Sequence, residues 1–234
     1  MIPTAIKAEL AAGANSEKAL ILQRFFKTGK GQYGEGDVFW GIQIPVIREI
    51  ATQFRGTPPE ACVVLLNDPV HEVRMMGGML MVDGFKRAKG DDKLVWYDVY
   101  MANATCFNNW DLVDLTCPTI VGGWLWNKDR SPLYDFAQAD NLWKQRIAII
   151  STMPFIKKED FHDTFQLADI LFNHKHDLIH KAVGWMLREI GKKDHDAECA
   201  YLLENERYKR MPRTMLRYAI EKFPEDERQF YLAR

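Results

Sequence analysis

The segment Asn108 to Asp114, NNWDLVD, sets an indole and a carboxylate four residues apart. On a helix that spacing places Trp110 beside Asp114 on one face. An electron-rich ring next to an anion suits one kind of chemistry. Both favour a cation, and cleavage of a sugar's glycosidic bond passes through an oxocarbenium-like cation. The same residue types also fit a structural role, as a core aromatic and the polar first turn of an amphipathic helix. The choice between the two depends on the elements that position the pair.

A chain of 234 residues, 47% of them hydrophobic, can bury a substantial core. The opening stretch, MIPTAIKAELAAGANSEKALILQRFF, has no basic flank ahead of an unbroken apolar run, and no later window approaches the roughly 20 apolar residues of a membrane span. A cytoplasmic protein with no membrane partner is expected. Cys62, Cys106, Cys117 and Cys199 lie far apart without C-x-x-C spacing, so reduced thiols are expected and neither disulfides nor a structural zinc site. The net charge of -1 offers no general basic excess for nucleic acid, but its distribution is uneven. Residues 1–90 hold 11 Lys+Arg against 9 Asp+Glu, residues 91–140 hold 3 against 8, and residues 141–234 hold 17 against 15. A basic surface then requires the acids to face elsewhere.

Apolar residues recur with helical periodicity almost throughout, and the one long Gly-rich interruption is TGKGQYGEGD, from Thr28 to Asp37. Prolines punctuate the chain at intervals that suit a succession of short helices. The pattern predicts a single all-α domain over residues 1–234. Within it, Arg74 in DPVHEVRMMGGMLMVDGF, Arg146 in DNLWKQRIAIISTMPFI, Lys181 in DLIHKAVGWMLREIG and Arg213 in MPRTMLRYAIEKF each stand at the start of a similar apolar helix. Asp114 takes the corresponding place in NNWDLVDLTCPTIVGGWLW. Intervals of about 32 to 40 residues are those of HEAT and armadillo repeats, which stack as helix pairs into a solenoid with a concave face. Asp114 is then a lone acid in a column of bases. An Asp and an Arg six residues apart, as at Asp68 and Arg74, also commonly tie successive HEAT repeats together. That account covers Arg74 and partly Arg146, but it does not explain one rung that reverses sign and carries a Trp one turn earlier.

With NNWDLVD in such a setting, the sequence resembles the AlkD-like DNA alkylation repair enzymes, which are HEAT-repeat DNA glycosylases. The resemblance runs over nearly the whole chain, through RFFKTGKGQYGEGDVFWGIQIPVIREIA, DPVHEVRMMGGMLM, NNWDLVD, NLWKQRIAII and HKAVGWMLREIGK in that order. It implies a monomer that needs no cofactor or metal and excises cationic alkylated purines, such as 3-methyladenine and 7-methylguanine, from duplex DNA on a concave face without a base-flipping pocket. By the same resemblance Asp114 is the catalytic carboxylate, Trp110 and Trp185 are indoles that approach the deoxyribose, and Arg146 holds the DNA backbone. Phe25 stands where the family has a tyrosine facing the lesion. Arg74, Lys181 and Arg213 of the repeat column, with Lys27 and Arg188, are the further candidates for phosphate contact. Two departures stand out: Asp177 and Leu178 replace a frequent Phe-Phe pair, and Asn109 replaces a second Trp found in some relatives.

Other signals carry less. GKGQYG, Gly29 to Gly34, fits G-x-G-x-x-G, but it follows a helical segment where a dinucleotide fingerprint should follow a strand. His174, His176 and His180 fall in a repeat junction with no acid to complete an H-E-x-x-H pattern, so solvated or DNA-facing histidines are expected there. A non-catalytic HEAT scaffold that binds DNA or protein is the rival reading from another class.

Overall fold

Proline placement accounts for much of the architecture. In the computed structural model, which describes residues 1–233, Pro45, Pro59, Pro132 and Pro154 lie in the first turns of helices, where a missing N–H costs nothing. Pro212 and Pro224 occupy N-cap positions. Pro118 acts differently. It follows directly on the helix Trp110–Cys117 and opens a π-helical turn, Pro118–Gly122, that leads into Gly123–Leu125. Proline cannot donate the bond an α-helical turn needs there, and a wider turn takes its place.

The chain is all-α, as the periodicity predicts, and among the described residues the extended pairing is a single bridge between Val38 and Val70. Two compact units divide it, Met1–Trp124 and the residues from Leu125 onward. In the first, the helix His71–Arg87 packs on Pro59–Leu66, Ile44–Gln53 and Trp110–Cys117. Its core includes Leu65, Val73, Met76, Phe107 and Leu112, all at or near zero exposure. Phe107 stacks on Tyr100 at 4.1 Å, and the Tyr100 hydroxyl lies 3.0 Å from Thr116 Oγ1, which fixes the inner face of the helix Trp110–Cys117.

In the second unit the helix Asp177–Gly191 packs on Leu142–Ile150, His195–Leu203 and Arg213–Ala219. It buries Ile179, Val183, Met186, Leu187 and Ile190 along one stripe. Gly184 lets the last of these partners approach, since a Cβ there would come within 2.3 Å of the Met215 carbonyl oxygen. Glu198 is fully buried in this unit with neither carboxyl oxygen hydrogen-bonded. Burial pushes its carboxyl up to about 9 against the opposing pull of the Arg188 charge, so the group is neutral at pH 7.

Candidate active site

The helix Trp110–Cys117 buries Leu112, Val113, Thr116 and Cys117 and leaves Trp110 and Asp114 half-buried. At 3.6 residues per turn Trp110 and Asp114 share one face of the helix, as their spacing predicts, at the margin of the buried side, where Cys117 borders them. Asn109 starts the helix, its Oδ1 accepting the Trp110 N–H at 2.8 Å, while its Nδ2 donates to Asp37 Oδ2 at 3.1 Å. Asn109 is fully buried, so a second indole would not sit there without displacing this bond.

Trp110 is held by an aromatic stack. Its ring lies parallel to Phe26 at 5.3 Å, Phe26 lies on Phe39 at 5.0 Å, and Phe39 lies on His71 at 4.6 Å. Phe25 meets Trp110 edge-on at 5.9 Å and is 61% exposed. Such pairs add about 0.5–1.5 kcal/mol each beyond area burial. They restrict the indole to one orientation.

Beneath the stack lies a charged network that no local pattern in the sequence signals. His71, 3% exposed, places Nε2 2.8 Å from Asp111 Oδ2 and Nδ1 3.2 Å from Asp37 Oδ2. Arg74 NH2 donates to Asp37 Oδ1 at 2.7 Å. Burial by itself would lower the imidazole pKa, but hydrogen bonds to Asp111 and Asp37 and the Asp111 charge outweigh it and hold the ring at about 9. His71 is therefore an imidazolium at neutral pH and donates to both acids. Burial would likewise raise Asp37, yet bonds from His71 and Asn109 and the Arg74 charge keep it below the ordinary carboxylate range. Two cations and two anions sum to zero, which limits the cost of removing them from water. Next to them Glu72 accepts the backbone N–H groups of Trp40, Gly41 and Ile42 at 2.7–3.2 Å. Gly41 is required in this turn: its φ is +78°, and a Cβ would come 2.1 Å from the Asn15 carbonyl oxygen.

An apolar cleft of about 780 Å³ opens beside the stack, walled by Phe25, Phe26, Met75, Met79, Trp110 and Leu115. Asp111 and His71 reach its floor, while Lys18 and Arg48 also line it.

The predicted basic residues fall into two kinds. Arg74 is 5% exposed, and its fork is occupied by Asp37 and by the carbonyls of Asp68 and Pro69 at 3.1 and 3.2 Å, which is the repeat-tying role. Arg146, also 5% exposed, donates to the Leu178 carbonyl at 2.5 Å. Arg213 donates to the Leu232 carbonyl at 2.9 Å. Lys181 pairs with Asp177 at 2.8 Å, and Arg188 with Glu221. Lys27 is exposed with φ +52° immediately after Phe26. Lys181, Trp185 and Arg188 share the helix Asp177–Gly191; Trp185 is half-buried and its Nε1–H donates to Glu189 at 3.0 Å. Of the Asp177 and Leu178 departure, the aspartate has a local consequence: its carboxylate pairs with Lys181.

The signals of lesser weight have local roles. Gly31 and Gly36 turn the loop after Phe26 at positive φ, with no strand ahead of it. His176 caps the helix Asp177–Gly191 by accepting the Leu178 N–H, and His174 Nδ1 accepts the His176 N–H. His180 bonds to the His174 carbonyl. These histidines build the turn and converge on no common point.

Comparison with known proteins agrees with this architecture. A family model described as DNA alkylation repair enzyme matches residues 6–223. A solved structure described as a predicted DNA alkylation repair enzyme from Enterococcus faecalis superposes with a TM-score of 0.71, covering 91% of this chain and 97% of that one at 17% identity. No curated protein matches. Among the described residues no helix is long and apolar enough to cross a membrane.

Proposed function

The chain belongs to the DNA alkylation repair enzymes, and from that premise we propose that it is a monofunctional DNA glycosylase that releases cationic alkylated purines from duplex DNA. One observation carries this reading. A half-buried indole, held against Phe25 and Phe26, stands one helical turn before a carboxylate on the same open face.

Methylation at purine N3 or N7 puts a positive charge on the base, so the base departs neutral and needs little help from a general acid. Charge then develops on the sugar. Asp114 stabilises that oxocarbenium ion and orients the water that attacks C1′, leaving an abasic site and intact strands. The Trp110 face adds cation-π attraction on the order of 1 kcal/mol, which at about 1.4 kcal/mol per tenfold is modest beside the carboxylate. No lysine stands in NNWDLVD to form a Schiff base, so hydrolysis without strand cleavage is expected. Trp185 takes a similar place toward the deoxyribose in this reading; Lys181, Arg188, Arg213 and Lys27 supply phosphate contacts, and Arg146 joins them by exchanging the Leu178 carbonyl for a phosphate. Arg74 is assigned to the fold, because its guanidinium is buried on internal acceptors. Selectivity comes from the lability of the cationic lesion.

The commitment of Arg74 and Arg146 to internal acceptors favours a second reading, a repeat scaffold without chemistry. Incubation with methylated duplex separates the two. Free 3-methyladenine and 7-methylguanine are expected in the supernatant; retention of DNA with no base released supports the scaffold.

A further inference from the structure

Three side chains of metal-binding type converge in the second unit. His195 and Cys199 lie four apart on the helix His195–Leu203, and Glu227 comes from the helix Glu225–Leu232. His195 Nε2 is 3.4 Å from Cys199 Sγ and 2.8 Å from Glu227 Oε2, and the donor atoms of all three lie within 4.8 Å of one another. We propose that His195, Cys199 and Glu227 form a binding site for a divalent, zinc-type transition-metal ion.

Two of the three donor separations are close to what such an ion needs, and the thiol–carboxylate pair, within 4.8 Å, closes as the glutamate turns. Zinc bonds of about 2.0 Å to nitrogen and oxygen and 2.3 Å to sulfur, at tetrahedral angles, separate donor atoms by roughly 3.3 to 3.6 Å. The histidine–cysteine separation already meets this. The histidine–glutamate separation has to widen by about half an ångström, which a half-exposed glutamate side chain can provide by rotation. Both neighbours aim at the same ring nitrogen, so an ion entering there would replace two hydrogen bonds by three metal bonds. Thiolate, carboxylate and a divalent cation sum to zero charge, with imidazole neutral and the thiol proton released to solvent on binding. A thiolate and an imidazole select zinc-like ions over magnesium or calcium, which prefer oxygen donors. The surroundings support the ligands. Phe223 packs on the His195 ring at 4.5 Å, and Tyr231 hydrogen-bonds Cys199. His195 and Glu227 are partly open to solvent, which leaves a path for the ion and a fourth position for water. Such an ion would clamp the helices His195–Leu203 and Glu225–Leu232 together.

The test uses the full chain, freed of metal by chelator and titrated with Co²⁺ and with Zn²⁺. One equivalent of Co²⁺ is expected to bind with a sulfur-to-metal charge-transfer band in the near ultraviolet, and Zn²⁺ is expected to displace it and raise Tm. Cys199→Ser should abolish the band, and His195→Ala or Glu227→Gln should each weaken binding; all three sites are partly exposed, so the variants are expected to fold. Tyr231→Phe should weaken affinity by about 10–100-fold. Absence of the band overturns the proposal. So does a band that survives both His195→Ala and Glu227→Gln, which marks a lone thiolate, or a Zn²⁺ equivalent that survives Cys199→Ser, which places the ion elsewhere.

Discussion

His71 Nε2 lies 2.8 Å from Asp111 Oδ2, a bond that joins the first turn of the helix His71–Arg87 to the residue directly after Trp110. It fixes the start of the candidate catalytic helix from below, while the Phe26 stack fixes the Trp110 ring from the side. The acid of NNWDLVD that anchors the fold is thus Asp111, and Asp114 is left on the open face.

Those different positions make the first prediction. Asp114→Asn should reduce release of 7-methylguanine by about 10²-fold or more while leaving Tm and duplex affinity close to the parent, since it removes an anion and almost no volume. Parental excision by this variant would show that the carboxylate is not catalytic.

Trp110 has one face in the stack and is half-buried, so packing and catalysis can be separated. Trp110→Phe should keep part of the excision activity, and Trp110→Leu should lose clearly more. The leucine variant should also lower stability by about 1 kcal/mol through loss of the ring contact. Single-turnover excision below both melting temperatures decides it: equal parental rates in the two variants leave Trp110 a packing residue.

Asp177 pairs with Lys181 at the start of the helix that carries Trp185. Asp177→Asn removes that negative charge from beside the lysine. Duplex affinity should rise a few-fold, and the dependence of log K on log salt should steepen by up to about one unit. A salt slope identical to the parent's would remove Lys181 from the phosphate contacts.

The His71 ring, held at about 9 against its usual 6.5, makes stability depend on pH. The folded protein keeps a proton that the unfolded chain sheds above about pH 6.5. Its contribution is therefore complete below that value and is lost as pH rises through about 9. Chemical denaturation should show stability falling by at most a few kcal/mol across this window. His71→Gln should be less stable at pH 6 and show a shallower decline; a parallel decline in both proteins would assign the pH dependence to another group.

Sequence alone determined what is local. Helical periodicity needs only the neighbours three and four residues away, and the all-α repeat architecture follows from it. The shared face of Trp110 and Asp114 follows from the same spacing within a single helix. The His71 network was not legible because its partners come from 34 and 40 residues away, one of them from the Gly-rich loop that otherwise reads as a turn. Arg74 and Asp68 were visible as a pair six apart, but only the folded chain shows that the arginine takes the Asp68 carbonyl while the Asp68 carboxylate goes to Lys7. Cys199 has His195 four residues before it on the same helix, but Glu227, which meets that histidine, comes from another helix and was not legible beside them. Spacing fixes which residues share a helix face; which acceptor each charged group finds is decided by the packing of helices that are distant in the chain.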